Sequence, residues 1–200
     1  MIRSILLTLL IALQIGAYSQ NLSFFRENIT MKIEGRDFYV SGTYYFRYDK
    51  NDKKLLHYPF PTGELYGNPD SVYLYDLTND FVIKPLEIDS SMLLFLVDFS
   101  NHPELVIQIS YKQPLKSNQA EYIIETTKVW GKAFEEATYQ LIVPSNISIQ
   151  NFSILPSDSI ITEFKKVYTW QKYNYMPERN MVFKFIQVPG IEKTPETIAK

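Results

Sequence analysis

Phe38-Tyr39-Val40-Ser41-Gly42-Thr43-Tyr44-Tyr45-Phe46-Arg47-Tyr48 is the stretch that decides the fold. Phe38, Val40, Tyr44, Phe46 and Tyr48 share one parity, and Ser41, Thr43 and Arg47 share the other. Successive side chains of an extended chain point to opposite faces, so this alternation predicts a long strand with one apolar and one polar face. Just upstream, Ile29 to Ile33 and the turn residues Glu34-Gly35-Arg36-Asp37 predict the other arm of a hairpin.

Working outward, comparable runs recur at Leu55 to Phe60, Ser71 to Leu77, Phe81 to Ile88, Met92 to Phe99, Glu104 to Lys112, Glu121 to Thr127, Ala137 to Val143, Ile147 to Leu155, Ile160 to Trp170 and Met181 to Val188. Turn-forming residues separate them, as in Gly67-Asn68-Pro69-Asp70, Leu77-Thr78-Asn79-Asp80 and Asn101-His102-Pro103. No stretch sustains a helical period or alternates strand with helix, which argues against doubly wound and barrel enzyme scaffolds. The expected fold is all-β, an antiparallel β-sandwich of immunoglobulin-like or jelly-roll-like form. Trp130, Phe134, Ala137 and Leu141 allow one helical turn between Lys128 and Glu136, which Gly131 limits before a strand that Pro144 ends. Residues 20–188 read as one domain, with Gln20 to Glu27 a leader or an edge strand and 189–200 a polar tail.

The first nineteen residues read as a signal peptide: Arg3 is the basic start, Ile5 to Ile15 the apolar stretch, and Ala17-Tyr18-Ser19 the small-residue site before a cut near Ser19-Gln20. A membrane span needs about 20 apolar residues, more than this run supplies, so cleavage and a secreted or periplasmic destination are expected, with no membrane span afterwards. The chain has no Cys, which excludes disulfides, thiolate metal sites and a lipidated Cys anchor. Stability must then come from packing, and a composition of 46% hydrophobic residues with 15 Tyr and 13 Phe suits strands. A formal net charge of −2 with interspersed signs speaks against a nucleic-acid partner.

Two segments carry a family resemblance. Glu121-Tyr122-Ile123-Ile124-Glu125-Thr126-Thr127-Lys128-Val129-Trp130 with Glu136-Ala137-Thr138-Tyr139-Gln140-Leu141-Ile142-Val143-Pro144, and upstream Tyr58-Pro59-Phe60-Pro61, resemble bacterial exported β-sandwich proteins of unknown function. Gly131-Lys132 departs from the family's usual Pro after the Trp. The resemblance implies export and a sandwich fold, and it carries over no functional residue.

Reactive chemistry is sparse. His57 and His102 are the only histidines and have no ligand spacing, no Gly-x-Ser-x-Gly elbow occurs, and the seven Gly form no phosphate cradle. These absences predict no cofactor, no metal and no catalytic residue set. Carboxylate pairs that could serve glycoside hydrolysis are Glu87 with Asp89, about 7 Å apart on one strand face, Glu135 with Glu136, and Asp76 with Asp80. Solvent-facing strand ends and Asx turns account for them better. The expected binding residues are aromatic: in Tyr168 to Tyr175, alternation places Tyr168 and Trp170 on one face and Tyr173 and Tyr175 on the other, so some rings should face solvent. The reading that follows is a non-catalytic envelope or extracytoplasmic module binding a protein or glycan through Tyr168, Trp170, Tyr173 and Tyr175. A secreted carboxylate-dependent hydrolase is the alternative.

Overall fold

A computed structural model describes residues 22–188, so the signal peptide, its cleavage site and the 189–200 tail lie outside the described residues. Fourteen strands form β1 (Leu22–Glu34), β2 (Asp37–Tyr48), β3 (Lys53–Pro59), β4 (Asp70–Asp76), β5 (Phe81–Val82), β6 (Glu87–Ile88), β7 (Met92–Asp98), β8 (Glu104–Pro114), β9 (Gln119–Tyr122), β10 (Phe134–Pro144), β11 (Ile147–Phe152), β12 (Asp158–Ile161), β13 (Lys165–Tyr175) and β14 (Met181–Gln187). One broad sheet of eight strands has the order β12-β13-β10-β1-β2-β8-β4-β5. Two three-stranded sheets, β11-β14-β9 and β3-β7-β6, make up the rest.

The expected all-β, sandwich-like fold is what the chain adopts, with the second layer divided in two. The deciding stretch lies in β2, where Phe38, Val40, Tyr44, Phe46 and Tyr48 are buried. The predicted hairpin pairs Glu34 with Asp37 around Gly35, whose φ of 60° suits a residue without a Cβ. From the broad sheet, β1 contributes Ile29, Met31 and Ile33, β8 Leu105, Ile107 and Ile109, and β10 Ala137, Leu141 and Val143. They share one hydrophobic cluster with Leu93, Phe95 and Val97 of β7 and Phe183 and Phe185 of β14.

Several local expectations are corrected. Of the Gln20 to Glu27 segment, read as a leader or an edge strand, the described part Leu22 to Glu27 is no edge: it belongs to β1, which lies between β10 and β2 and pairs with β10 in parallel. The 81–88 run divides, β5 pairing with β4 and β6 with β7, because Pro85 has no N–H for a ladder. The 160–170 run divides too, since Thr162 closes a turn onto Lys165 through both its backbone and its hydroxyl. The helical turn is a 3-10 helix at Glu125–Trp130, upstream of its expected place. Asn180 Oδ1 accepts from the N–H of Ile124 and of Glu125 at its start, and Gly131, at φ 67°, stops it.

Candidate functional site

The strands place the four expected binding aromatics in different surroundings. Trp170 faces inward opposite Tyr139, is 1% exposed, packs against Phe152 and Phe183, and donates Nε1–H to the carbonyl of Ile154 at 3.0 Å. It therefore offers no area to a partner. Tyr168 and Tyr175 are half-buried and pack on the core. Tyr175 leaves the parity of Tyr173 because the intervening Asn174 takes a φ of 46°, turning the strand's last side chain inward. Only Tyr173 of the four is open, at 63% exposure. No common aromatic strip forms, because strand parity is set by what covers each face, which the letters of one strand do not contain.

The outer face of the broad sheet carries a wide depression. It has a volume of about 660 Å³ and crosses β13, β10, β1 and β2. Gln171, Thr138, Gln140, Asn28, Thr30 and Ser41 line it, and it reaches Asp158 at its rim. A second depression of about 300 Å³ shares Thr30 and Ser41 and continues over β8 to Ser110 and Lys112. With strands about 4.8 Å apart, five strands make a trough on the order of 19 Å long. Thr138 donates to Asn28 Oδ1 at 2.7 Å, Asn28 Nδ2 donates to Tyr45 Oη at 3.2 Å, and Ser41 and Ser110 share a hydrogen bond of 3.0 Å. These pairs fix side chains that hold further donor and acceptor capacity toward solvent. Tyr173 stands beside the β13 end of this trough, its hydroxyl accepting from Gln171 Nε2.

The candidate carboxylates serve turns and ion pairs. Asp89 Oδ1 accepts from the N–H and hydroxyl of Ser91 and the N–H of Met92, bonds that hold its carboxyl below the usual range. Glu87 is exposed on the short strand β6. Asp76, 1% exposed, accepts from the N–H groups of Thr78 and Asn79 and from Asn79 Nδ2, an Asx turn. Asp80 accepts from the Tyr75 hydroxyl. Glu135 pairs with Arg47 at 3.1 Å and Glu136 with Arg26 at 3.5 Å. His57 on β3 and His102 in the β7–β8 loop are both exposed, and no three potential metal ligands converge among the described residues. A separate apolar groove of about 410 Å³ runs between β3 and the 3-10 helix, with His57 at its wall.

One buried acid escaped the sequence reading. Glu27 is 2% exposed and accepts from Tyr139 Oη at 2.6 Å and Tyr122 Oη at 3.1 Å. A β-bulge between Phe24 and Arg26 shifts the register so that Glu27 pairs with Tyr44 on the core face. Burial pushes its carboxyl up to about 7, against the lowering effect of the two tyrosine hydrogen bonds. The available signal was parity, since Glu27 has the parity of Ile29, Met31 and Ile33.

No known protein family and no curated protein matches the sequence. Among solved structures, the chain is similar to a "putative nutrient binding protein" from Legionella pneumophila, with a TM-score of 0.62 and 10% identity over 83% of this chain and 67% of that one. It is also similar to an M1 zinc metallopeptidase from Deinococcus radiodurans, with a TM-score of 0.50 and 8% identity over 82% of this chain. The chain spans 42% of that peptidase. At these identities the likenesses show a shared fold. No helix among the described residues is long and apolar enough to cross a membrane.

Proposed function

We propose that this protein is an exported, non-catalytic binding module that takes a neutral glycan chain in the trough on the outer face of its broad sheet. The observation that carries the reading is the lining of the 660 Å³ part of the trough: apart from Asp158 at its rim, its outward side chains, among them Thr138, Gln140, Asn28, Thr30, Ser41 and Gln171, are uncharged and hydrogen-bond in both directions or through amide pairs, and the charged Lys32 and Lys112 lie in the smaller part. Sugar hydroxyls present the same mixture of donors and acceptors. A protein partner would be better served by an apolar, aromatic centre, which the 660 Å³ depression lacks, since its two lining aromatics, Tyr139 and Trp170, are buried. Tyr173, exposed at the edge of the trough, supplies a flat ring on which a sugar can stack. Export is supported by the apolar run that follows Arg3 and by the resemblance of Tyr122 to Pro144 to exported sandwich proteins. The Legionella protein's description as nutrient binding agrees with the class.

Calorimetric titration against a panel of neutral and anionic polysaccharides tests the proposal. Thr138→Arg and Gln140→Arg, which lay long cationic side chains across the trough, should each weaken binding of a neutral glycan at least tenfold, on the order of 1.4 kcal/mol. Tyr173→Ala should weaken it less. Binding that both arginine variants leave intact, or binding confined to anionic polymers, would overturn the reading.

A further inference from the structure

Glu27 lies where the three sheets meet. Its two hydrogen-bond donors come from different layers, Tyr139 from β10 of the broad sheet and Tyr122 from β9. The Tyr122 hydroxyl is 3.1 Å from that of Tyr44 on β2, and the Tyr44 hydroxyl is 2.9 Å from that of Tyr58 on β3. One continuous chain of hydroxyls therefore joins the broad sheet to both small ones and ends on a carboxyl. Each link is a hydroxyl, able to donate or accept by rotating its proton.

The carboxyl decides the direction of that chain. Ionised, Glu27 only accepts, so Tyr122 must donate to it, Tyr44 to Tyr122 and Tyr58 to Tyr44. Protonated, Glu27 gains a donor of its own, and the chain can run the opposite way from the acid through Tyr122 and Tyr44 toward Tyr58. The groups facing the cluster are themselves neutral hydroxyls: Tyr44, Tyr58, Tyr111 on β8, Tyr122, Tyr139 and Tyr175 on β13. Beyond them, Glu178 and Arg179 act on Tyr175, and Glu121 acts on Tyr111. Arg26 and Glu136 pair with each other at 3.5 Å and are partly exposed. Among the described residues no Lys, Arg or His forms an ion pair with Glu27. An ionised Glu27 thus sits in a dry interior with hydroxyl donors and no countercharge, which weakens the contact among the sheets.

We propose that Glu27 and its tyrosines form a proton-operated latch between the broad sheet and the two small sheets, closed when the carboxyl is protonated and loosened when it ionises. The nearest consequence falls on β9 and β3: tied to the acid through Tyr122 and the Tyr44–Tyr58 pair, they open more readily on the alkaline side, while local opening at the ends of the broad sheet, β12 and β5, does not respond. This inference is independent of the ligand in the outer trough, which lies on the opposite face of the same sheet.

Hydrogen exchange by NMR on the whole protein, read as protection factors so that the intrinsic pH dependence cancels, tests the latch. Between pH 5.5 and 8.5 the amides of Ala120, Tyr122 and Leu56 should lose at least tenfold in protection, those of Ile83 and Ser157, which bond Leu74 and Thr169 at the two ends of the broad sheet and open without uncovering Glu27, much less, and Glu27→Gln should abolish the difference. Equal pH responses in the two groups of amides, or the same response in Glu27→Gln, overturn the proposal. Should Glu27→Gln fail to fold, titration of the Glu27 side-chain carboxyl carbon in the wild-type protein decides. A midpoint near neutrality that moves upward in Tyr122→Phe, which removes a donor to the anion, supports the latch, and a midpoint in the ordinary carboxylate range overturns it.

Discussion

Replacing Trp170 separates a structural anchor from a contact residue. Its indole is 1% exposed, wedged against Phe152 at a centroid distance of 5.9 Å and Phe183 at 5.9 Å, with Nε1–H on the Ile154 carbonyl. A Trp side chain buries about 150–250 Å², which at about 25 cal/mol per Å² corresponds to roughly 4–6 kcal/mol as an upper bound. Trp170→Ala should therefore destabilise by about 4 kcal/mol, within the usual range for aromatic truncation, because the site is walled by rigid strands and relaxes only in part. Trp170→Phe keeps a ring but strands the Ile154 carbonyl, and should cost about 1–2 kcal/mol beyond the lost volume. Urea unfolding followed by far-UV circular dichroism measures both, with an unchanged m-value marking a true stability effect. A loss below about 1 kcal/mol for Trp170→Ala would refute the buried placement. Reduced ligand binding with stability intact would restore Trp170 to the binding surface.

Two further outcomes are expected. Gly42→Ala builds a Cβ about 2.4 Å from the Tyr44 hydroxyl, whose ring lies over the glycine, so Tyr44 must leave its bonds to Tyr58 and Tyr122; a loss of about 1–3 kcal/mol in urea unfolding is expected. Global stability should fall as pH rises: below about pH 4.5 Glu27 is neutral folded and unfolded, between 4.5 and about 7 only the unfolded chain has ionised it, and above that the loss is full, on the order of 3 kcal/mol. The difference between wild-type and Glu27→Gln urea midpoints across pH 4 to 8.5 isolates this contribution, and a flat difference would contradict it.

Much of the strand content was legible because parity is a local property. β2, β7, β8 and β10 were visible from alternation alone, and Gly131 and Pro144 marked a helix stop and a strand end as their backbone restrictions require. Breaks inside runs were only partly visible. Pro85 marked the division of the 81–88 run, but the partners of its two halves, β4 and β7, come from elsewhere in the chain, and Thr162 captures Lys165 only once the chain has turned. The candidate site was less legible. Tyr173 was singled out and is exposed, but Thr138, Gln140, Asn28 and Ser41 come from strands far apart in the chain, and none of them looks unusual in its own segment.

The amino-acid order by itself determined an all-β, cysteine-free chain held by packed aromatic and branched side chains, since a two-residue period leaves few other ways to bury them. Tertiary structure decided which face of each strand is covered, and with it the inward turn of Trp170, the polar trough opposite the core, and the burial of Glu27 behind a one-residue bulge. Such features depend on which distant strands become neighbours, and strand pairing is settled by long-range backbone hydrogen bonds that every residue type other than proline can make.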